Sequence, residues 1–244
     1  MKFLIIFVFF LNIKFILNAQ EPQQLFVQGN KLYEEQKYEQ AIENYERIIQ
    51  EFKINDANLY YNLANCYYRI NKLGKAILNY ECALRLKPRD EDIIYNLNFL
   101  RTLINDVPET NIFYNVFNIF TAKELSIIST VLYILFILGL ILIIQIKNKN
   151  IYILKLTVYI LLFLVLFFGV WTVSKIKNDT KKIGIVIQAP CDVYNGPGED
   201  YSIGFSLNEG KKIIILGEKD NWYAIGLPKE KLKGWAKKDF IEKI

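Results

Sequence analysis

Histidine is absent from the 244-residue chain. Its absence excludes Ser-His-Asp and Cys-His nucleophile systems, every histidine-containing zinc site, and the imidazole as a pH switch. Three cysteines without regular spacing give no disulfide framework, and a single methionine adds little soft-metal chemistry. No set of acids and lysines can be assembled into nucleophile, base and stabiliser, so the sequence predicts no enzyme, no catalytic residue, no metal and no cofactor. What the chain does have is apolar character, 52% of its residues, with 15% aromatic and 23% charged. A mean hydropathy of +0.16 beside that much charge requires the apolar residues to be gathered into segments. The formal charge of +5 would, taken alone, suggest nucleic acid or a membrane surface.

Residues 1–19 combine a basic start, an apolar run and a small-residue end, the pattern of a secretory signal with cleavage between Ala19 and Gln20. Lys14 interrupts the run and Leu17 is bulky for its position, so an uncleaved anchor helix is the alternative. Two further runs lack any charge: Ser126–Ile146, of 21 residues, and Leu156–Ser174, of 19. At ~1.5 Å per residue each spans a hydrocarbon core of about 30 Å. Together they predict a two-helix transmembrane hairpin at 126–146 and 156–174. The 147–155 loop carries three lysines and no acid, whereas the amphipathic linker 106–125 carries one lysine and three acids. That asymmetry places the loop in the cytoplasm. Lys175, Lys177, Lys181 and Lys182 argue weakly the other way. The amino-terminal signal decides: both soluble parts are expected outside, in the periplasm of a bacterial inner-membrane protein.

Between 22 and 104 apolar residues recur at three and four, with little Gly or Pro, which predicts helices. AIENYERII from Ala41 and AILNYECAL from Ala76 repeat at an offset of 35. The unit 57–88 carries Tyr60, Leu63, Ala64, Tyr67, Ala76, Tyr80, Ala83 and Pro88 in the order of a tetratricopeptide (TPR) repeat, which it resembles. Small residues at Ala64, Ala76 and Ala83 let two antiparallel helices approach, with Gly74 expected in the turn between them. The first unit, 22–53, keeps Gly29, Ala41 and Tyr45, and 91–104 supplies a capping helix. The predicted domain, 20–105, is thus an all-α array of two repeats plus a cap. Two repeats fall short of the three or so that stand alone, so packing against a partner or the membrane is expected. By register the TPR groove is expected to present Asn30, Asn58, Tyr61, Asn65, Tyr68 and Arg69. Asn30 and Asn65 match the asparagines of carboxylate-clamp TPR domains, but Phe26 stands where the clamp has lysine. The alternative is that these side chains only solvate or stack the array. Cys66 and Cys82 could pair in an oxidising compartment, although buried small hydrophobes is the favoured reading.

From Ile183 the pattern changes to five or six short β-rich runs broken by Gly, Asn and Pro. Asn195-Gly196-Pro197-Gly198 with Tyr201, Leu207-Asn208-Glu209-Gly210, Trp222-Tyr223-Ala224-Ile225 and Gly234-Trp235 resemble the marks of bacterial SH3-like domains. The resemblance implies an all-β SH3-like barrel over 181–244, with Tyr194, Tyr201, Trp222 and Trp235 as candidates for a ligand face. Trp222 is expected in the core and Trp235 at the ligand. Gly196–Gly198 is turn chemistry, since no GK[ST] follows as a phosphate loop would require.

The order of signal, short TPR array, transmembrane hairpin and SH3-like domain resembles the BatE-type members of the Bat aerotolerance-operon family of Bacteroidetes-type bacteria. Helix 91–104, with Asn96-Leu97 and the following Asp106, is similar to the end of that family's array. The resemblance implies a non-catalytic inner-membrane scaffold working with other membrane proteins, some bearing von Willebrand A-type domains, in oxygen or envelope stress. A peptidoglycan-sensing or cell-wall-targeting role for the SH3-like domain is the alternative. Nucleic acid is not expected: residues 20–105 carry 11 basic and 12 acidic side chains, and 183–244 carry nine of each. The excess positive charge sits in the signal and beside the spans, where lysines orient a chain in a bilayer.

Overall fold

The computed structural model describes residues 21–106, 116–146 and 151–244. The expected signal, 1–19, lies outside them, as do 107–115 of the expected linker and 147–150 of the expected loop. The chain divides into two units, one joining the amino-terminal helices to the carboxyl-terminal sheet and the other holding the two apolar helices.

In the first unit, helix α1 covers 21–34, followed by α2 (Tyr38–Gln50), α3 (Ala57–Arg69), α4 (Leu73–Leu86) and α5 (Glu91–Leu103). Caps and turns repeat with the sequence. Asp56 accepts from the Asn58 and Leu59 amides at 2.8 and 3.1 Å, and Asp90 accepts from the Ile93 amide at 3.3 Å, fixing the starts of α3 and α5. The turns within each pair pass through left-handed residues, Gln36 at φ 61° and Asn71 at φ 57°. Ala41, Ala64, Ala76 and Ala83 are fully buried, so the helix backbones approach closely around Leu59, Leu63, Tyr67, Ile77 and Leu97. One hydrogen bond recurs in both repeats: Tyr45 donates to Asn30 Oδ1 at 2.6 Å, and Tyr80 donates to Asn65 Oδ1.

Gly74 does not lie in the turn, as its sequence context had suggested; it is the second residue of α4. A Cβ there would stand 2.5 Å from the Val186 carbonyl oxygen and 2.7 Å from Glu209 Cγ. Its bareness therefore admits the carboxyl-terminal sheet rather than a turn conformation.

That sheet has seven antiparallel strands: β1 (Ile183–Val186), β2 (Cys191–Tyr194), β3 (Ile203–Leu207), β4 (Lys212–Lys219), β5 (Trp222–Leu227), β6 (Leu232–Lys237) and β7 (Ile241–Lys243). Their order is β3-β2-β6-β5-β4-β1-β7. The expected barrel does not close, because β3 and β7 remain as ends of a linear row. β2 joins β6 through the single pair Tyr194↔Trp235, and register shifts at Val193/Tyr194 and Ile215/Gly217 bend the sheet. The three-residue β7 runs toward the helices instead, where Arg85 Nη1 donates to the Ile244 carbonyl at 2.7 Å. Val186, Val193, Ile213, Ile225 and Ala236 fill the sheet's core.

The packing partner that two repeats call for is in the same chain. Ile185 of β1 belongs to the helical core, with Ile187 and Ile244 packed against it. Helix α4 lacks a side-chain cap of its own at Lys72, and Glu209 Oε1 accepts from the Gly74 amide at 2.7 Å in its place. Gly210, at φ +83°, fits beneath Ile77 and Ile104, the nearest atom to a Cβ there being 2.6 Å away. Buried Glu81 of α4 pairs with Arg101 of α5 and, at 2.8 Å, with Lys212 of β4. Lys211 adds bonds of 2.8 Å to Asp106 and to Glu230. Burial by itself would raise the Glu81 carboxyl's pKa, but the charges of Lys212 and Arg101 outweigh it and hold the group below its ordinary value.

The second unit contains α6 (Ala122–Gln145) and α7 (Tyr152–Asp179), of 24 and 28 residues, each long and apolar enough to cross a membrane by length and composition. Thr121 and Glu124 form a reciprocal cap at the start of α6. Ser129 and Thr172 share a 3.0 Å hydrogen bond between the helices, and Gly139 allows Val158 to approach. Lys175, 8% exposed, donates to Asn118 Oδ1 at 2.6 Å.

Candidate functional site: an aromatic cleft on the helical array

Helices α1, α3 and α5 are the first helices of successive units, and their inner faces, with Tyr80 of α4, enclose a cleft of about 290 Å³. Tyr61, Asn65, Tyr68 and Arg69, four of the side chains expected by register, line it together. The other two do not. Asn30 spends its side-chain oxygen inside the array, on Tyr45 and on Asn62 Nδ2 at 3.0 Å. Asn58 sits at the opposite end of α3, where it accepts from Lys87 Nζ at 2.8 Å.

Tyr33, Tyr80, Asn96, Phe99 and Leu100 complete the lining without having been singled out in the sequence. A signal existed for two of them. Tyr33 precedes Tyr68 by 35 residues, and Phe99 follows Asn65 by 34, the spacing that also separates the caps Asp56 and Asp90, so each occupies a repeat-equivalent groove position. The rings brace one another: Tyr68 meets Phe99 edge-on at 6.1 Å between centroids, and Tyr61 meets Tyr80 at 5.7 Å. Burial, with the neighbouring Tyr61 and Tyr33, raises the pKa of the Tyr80 phenol, which stays protonated as the donor to Asn65. Arg69 lies at the open side, its Nε 3.3 Å from the Tyr33 hydroxyl, a contact that raises the guanidinium's pKa further.

A second aromatic surface lies on the sheet. Tyr194 and Trp235 are direct partners across β2 and β6, and Tyr194 meets Trp222 edge-on at 5.2 Å. Trp222 is buried, as expected, but not in the cluster that fills the sheet's core. Tyr223 and Ile225 point into the sheet's core, so strand alternation turns Trp222 to the opposite face, where Lys237 Nζ lies 5.9 Å from its ring centre. It is buried there by its neighbours. Tyr201, half exposed, packs on Gly196, whose Cβ would fall 2.4 Å from the ring. The Gly-Pro-Gly segment thus seats an aromatic side chain.

Among the described residues no cluster of three or more His, Cys, Asp or Glu side chains could hold a metal. Cys66, Cys82 and Cys191 are free thiols. Burial pushes Cys66 and Cys82 up to about 12 and Cys191 up to about 11.

Residues 57–90 match the tetratricopeptide repeat family. Among solved structures, the chain is similar to the Sgt2 TPR domain from Aspergillus fumigatus, at 22% identity and TM-score 0.33, covering 35% of this chain and 56% of that domain. It thus spans little more than half the length of that relative. PcrH, solved in complex with the chaperone binding region of PopB, is 15% identical over 36% of this chain and 70% of its own, with TM-score 0.34. The Yersinia enterocolitica type III secretion chaperone SycD, solved with a peptide of the translocator YopD, is 13% identical over 59% and 92%, with TM-score 0.31. No curated protein matches significantly. The helical part that builds the cleft contains a tetratricopeptide repeat.

Proposed function

We propose that the chain is a non-catalytic, membrane-anchored adaptor that holds a protein partner in the α1–α3–α5 groove and contacts a second partner through the sheet's aromatic face. The carrying observation is the cleft: repeat-equivalent side chains from three helices converge on one opening, with Tyr68 and Arg69 at its side. The packing of 21–106 against 182–244 supports anchoring by a hairpin. A bilayer crossed by both α6 and α7 leaves the two packed segments on one side, whereas a single crossing would separate them. Bacterial inner-membrane location, periplasmic exposure and a BatE-type role beside von Willebrand A-type membrane proteins in oxygen or envelope stress complete this reading. They rest on the domain order and the lysine distribution.

The test is co-purification of the full chain from detergent-solubilised membranes of its own host. Membrane proteins are expected with the native chain, and Tyr68→Ala and Trp235→Ala should each lose a different subset. Repeated recovery of the chain alone would overturn the adaptor reading. A second reading, binding of peptidoglycan by the sheet, is favoured by the gathering of Tyr194, Trp222 and Trp235 on one face, with Tyr194 edge-on to Trp222 and paired across the strands with Trp235. Retention of the full chain on purified sacculi, lost on Trp235→Ala, would support it; no retention would sink it.

A further inference from the structure

The hydrogen bonds already made inside the cleft specify what its occupant must bring, and this inference rests on the adaptor reading. Arg69 Nε donates to the Tyr33 oxygen at 3.3 Å, and Asn96 Nδ2 donates to the Tyr61 oxygen at 2.9 Å. Both phenols therefore act as acceptors within the protein, and each keeps its O–H to donate. Tyr80 spends its O–H on Asn65 Oδ1, which fills an acceptor and leaves Asn65 Nδ2 as a donor. The Nη atoms of Arg69 make no hydrogen bond among the described residues. Unspent capacity in the cleft is thus dominated by donors: the O–H groups of Tyr33 and Tyr61, the Tyr68 hydroxyl, which can also accept, one amide and a guanidinium edge. The clearest counterweight is Asn96 Oδ1. One lining residue is basic and none is acidic.

We propose that this cleft receives the side-chain carboxylate of an Asp or Glu in an acidic segment of a protein partner lying along the groove. An ionised carboxylate only accepts, and its two oxygens have about four lone-pair sites. Bonds from neutral O–H and N–H groups to such an anion are roughly twice as strong as neutral ones. A glutamine in the same place would turn its own NH₂ toward those donors. The volume of about 290 Å³ suits one such side chain with its backbone rather than a folded element. Because α1, α3, α4 and α5 all contribute to the wall, the cleft lies along the groove, where a segment crosses rather than terminates. A side-chain carboxylate is therefore the assigned group, not a chain terminus.

The test uses the full chain in detergent micelles and three short probes: a capped peptide with one central Glu, the same peptide with Gln, and the Gln peptide with a free carboxyl terminus. Binding is read from the broadening of peptide NMR signals on titration with protein. The Glu peptide is expected to bind about tenfold more tightly than the capped Gln peptide. In Arg69→Gln that preference should fall to within about twofold. Tyr33→Phe and Tyr61→Phe, which keep the rings and remove only the spare O–H, should each weaken the Glu peptide several-fold and leave the Gln peptide unchanged. Equal binding of Glu and Gln, binding of neither at millimolar concentration, a preference that survives Arg69→Gln, or preferential binding of the free terminus would each overturn the assignment. Membrane co-purification with Tyr68→Ala separates the two proposals. Partners lost on Tyr68→Ala beside equal peptide binding would leave the adaptor standing and remove the acidic-segment assignment. A Glu preference beside repeated recovery of the native chain alone would do the reverse.

Discussion

Glu81 joins three elements, so its removal should weaken the union of array and sheet more than any surface charge would. Its side chain is 6% exposed, that of Arg101 14%, and that of Lys212 38%. Neutralising one member of a buried ion pair costs about 3–5 kcal/mol, because the remaining charge is left unpaired. Lys212 can rehydrate, which lowers the expected cost of Glu81→Gln to about 2–4 kcal/mol. With a urea dependence of about 2 kcal/mol per M, the unfolding midpoint should drop by about 1–2 M. Trp222 and Trp235 report the sheet by fluorescence, and a Trp171→Phe background removes the apolar-helix signal. Acid should erase the difference. Since the folded carboxyl titrates below its ordinary value, its contribution is complete above about pH 4.3 and disappears as pH falls through the lower folded value. The gap between native chain and Glu81→Gln should therefore be constant from neutral pH down to about 5 and narrow below about 4. A loss under about 1 kcal/mol, typical of exposed pairs, or a gap that widens in acid would refute the role given to this triad.

Gly74→Ala should lower the same midpoint through a cost of about 1–3 kcal/mol, since the added carbon meets the Val186 backbone oxygen. Gly169→Ala, with nothing within 4 Å of its Cβ, serves as the tolerant comparison. Glu209→Ala removes the acceptor at the start of α4 and should cost about 1 kcal/mol, whereas Glu209→Gln, which keeps an oxygen there, should recover most of it. Cys66 and Cys191 should resist iodoacetamide at pH 8 in the folded chain and react in denaturant; rapid alkylation of the native protein would contradict their burial and raised thiol pKa.

The helical repeat was legible because its determinants are local. Alanines at Ala41, Ala64, Ala76 and Ala83, with Tyr45 and Tyr80, declare the helices and their period within a few residues of each other. Register carried Tyr61, Asn65, Tyr68 and Arg69 into the cleft but could not exclude Asn30, whose oxygen is taken by a bond that only the folded pair reveals. The capping helix concealed Phe99 because its groove face was not aligned with the repeats before it, and Asn96 because its equivalent, Asn62, is bonded inside the array. The bulk of Trp222 foretold its burial but not its face: it lies with Ala224 and Gly226, opposite Tyr223, Ile225 and Leu227. The docking of sheet on array was not legible at all. Its contacts join residues 105 to 159 positions apart through ordinary types, Glu209 to Gly74, Lys212 to Glu81, Lys211 to Asp106 and Arg85 to Ile244. Nothing in the pattern near Gly74 distinguishes a glycine that admits a distant strand from one that makes a turn.

Whether array and sheet act as one body on one face of a membrane is decided most directly by labelling single cysteines with an impermeant maleimide. In a background lacking Cys66, Cys82 and Cys191, Glu43→Cys marks the exposed surface of the array and Lys233→Cys that of the sheet. Lys149→Cys marks the loop between the apolar helices. In intact spheroplasts Glu43→Cys and Lys233→Cys should label together while Lys149→Cys is protected, and inverted vesicles should give the opposite pattern. Labelling of Glu43→Cys and Lys233→Cys from opposite faces would contradict both the hairpin and the docked unit.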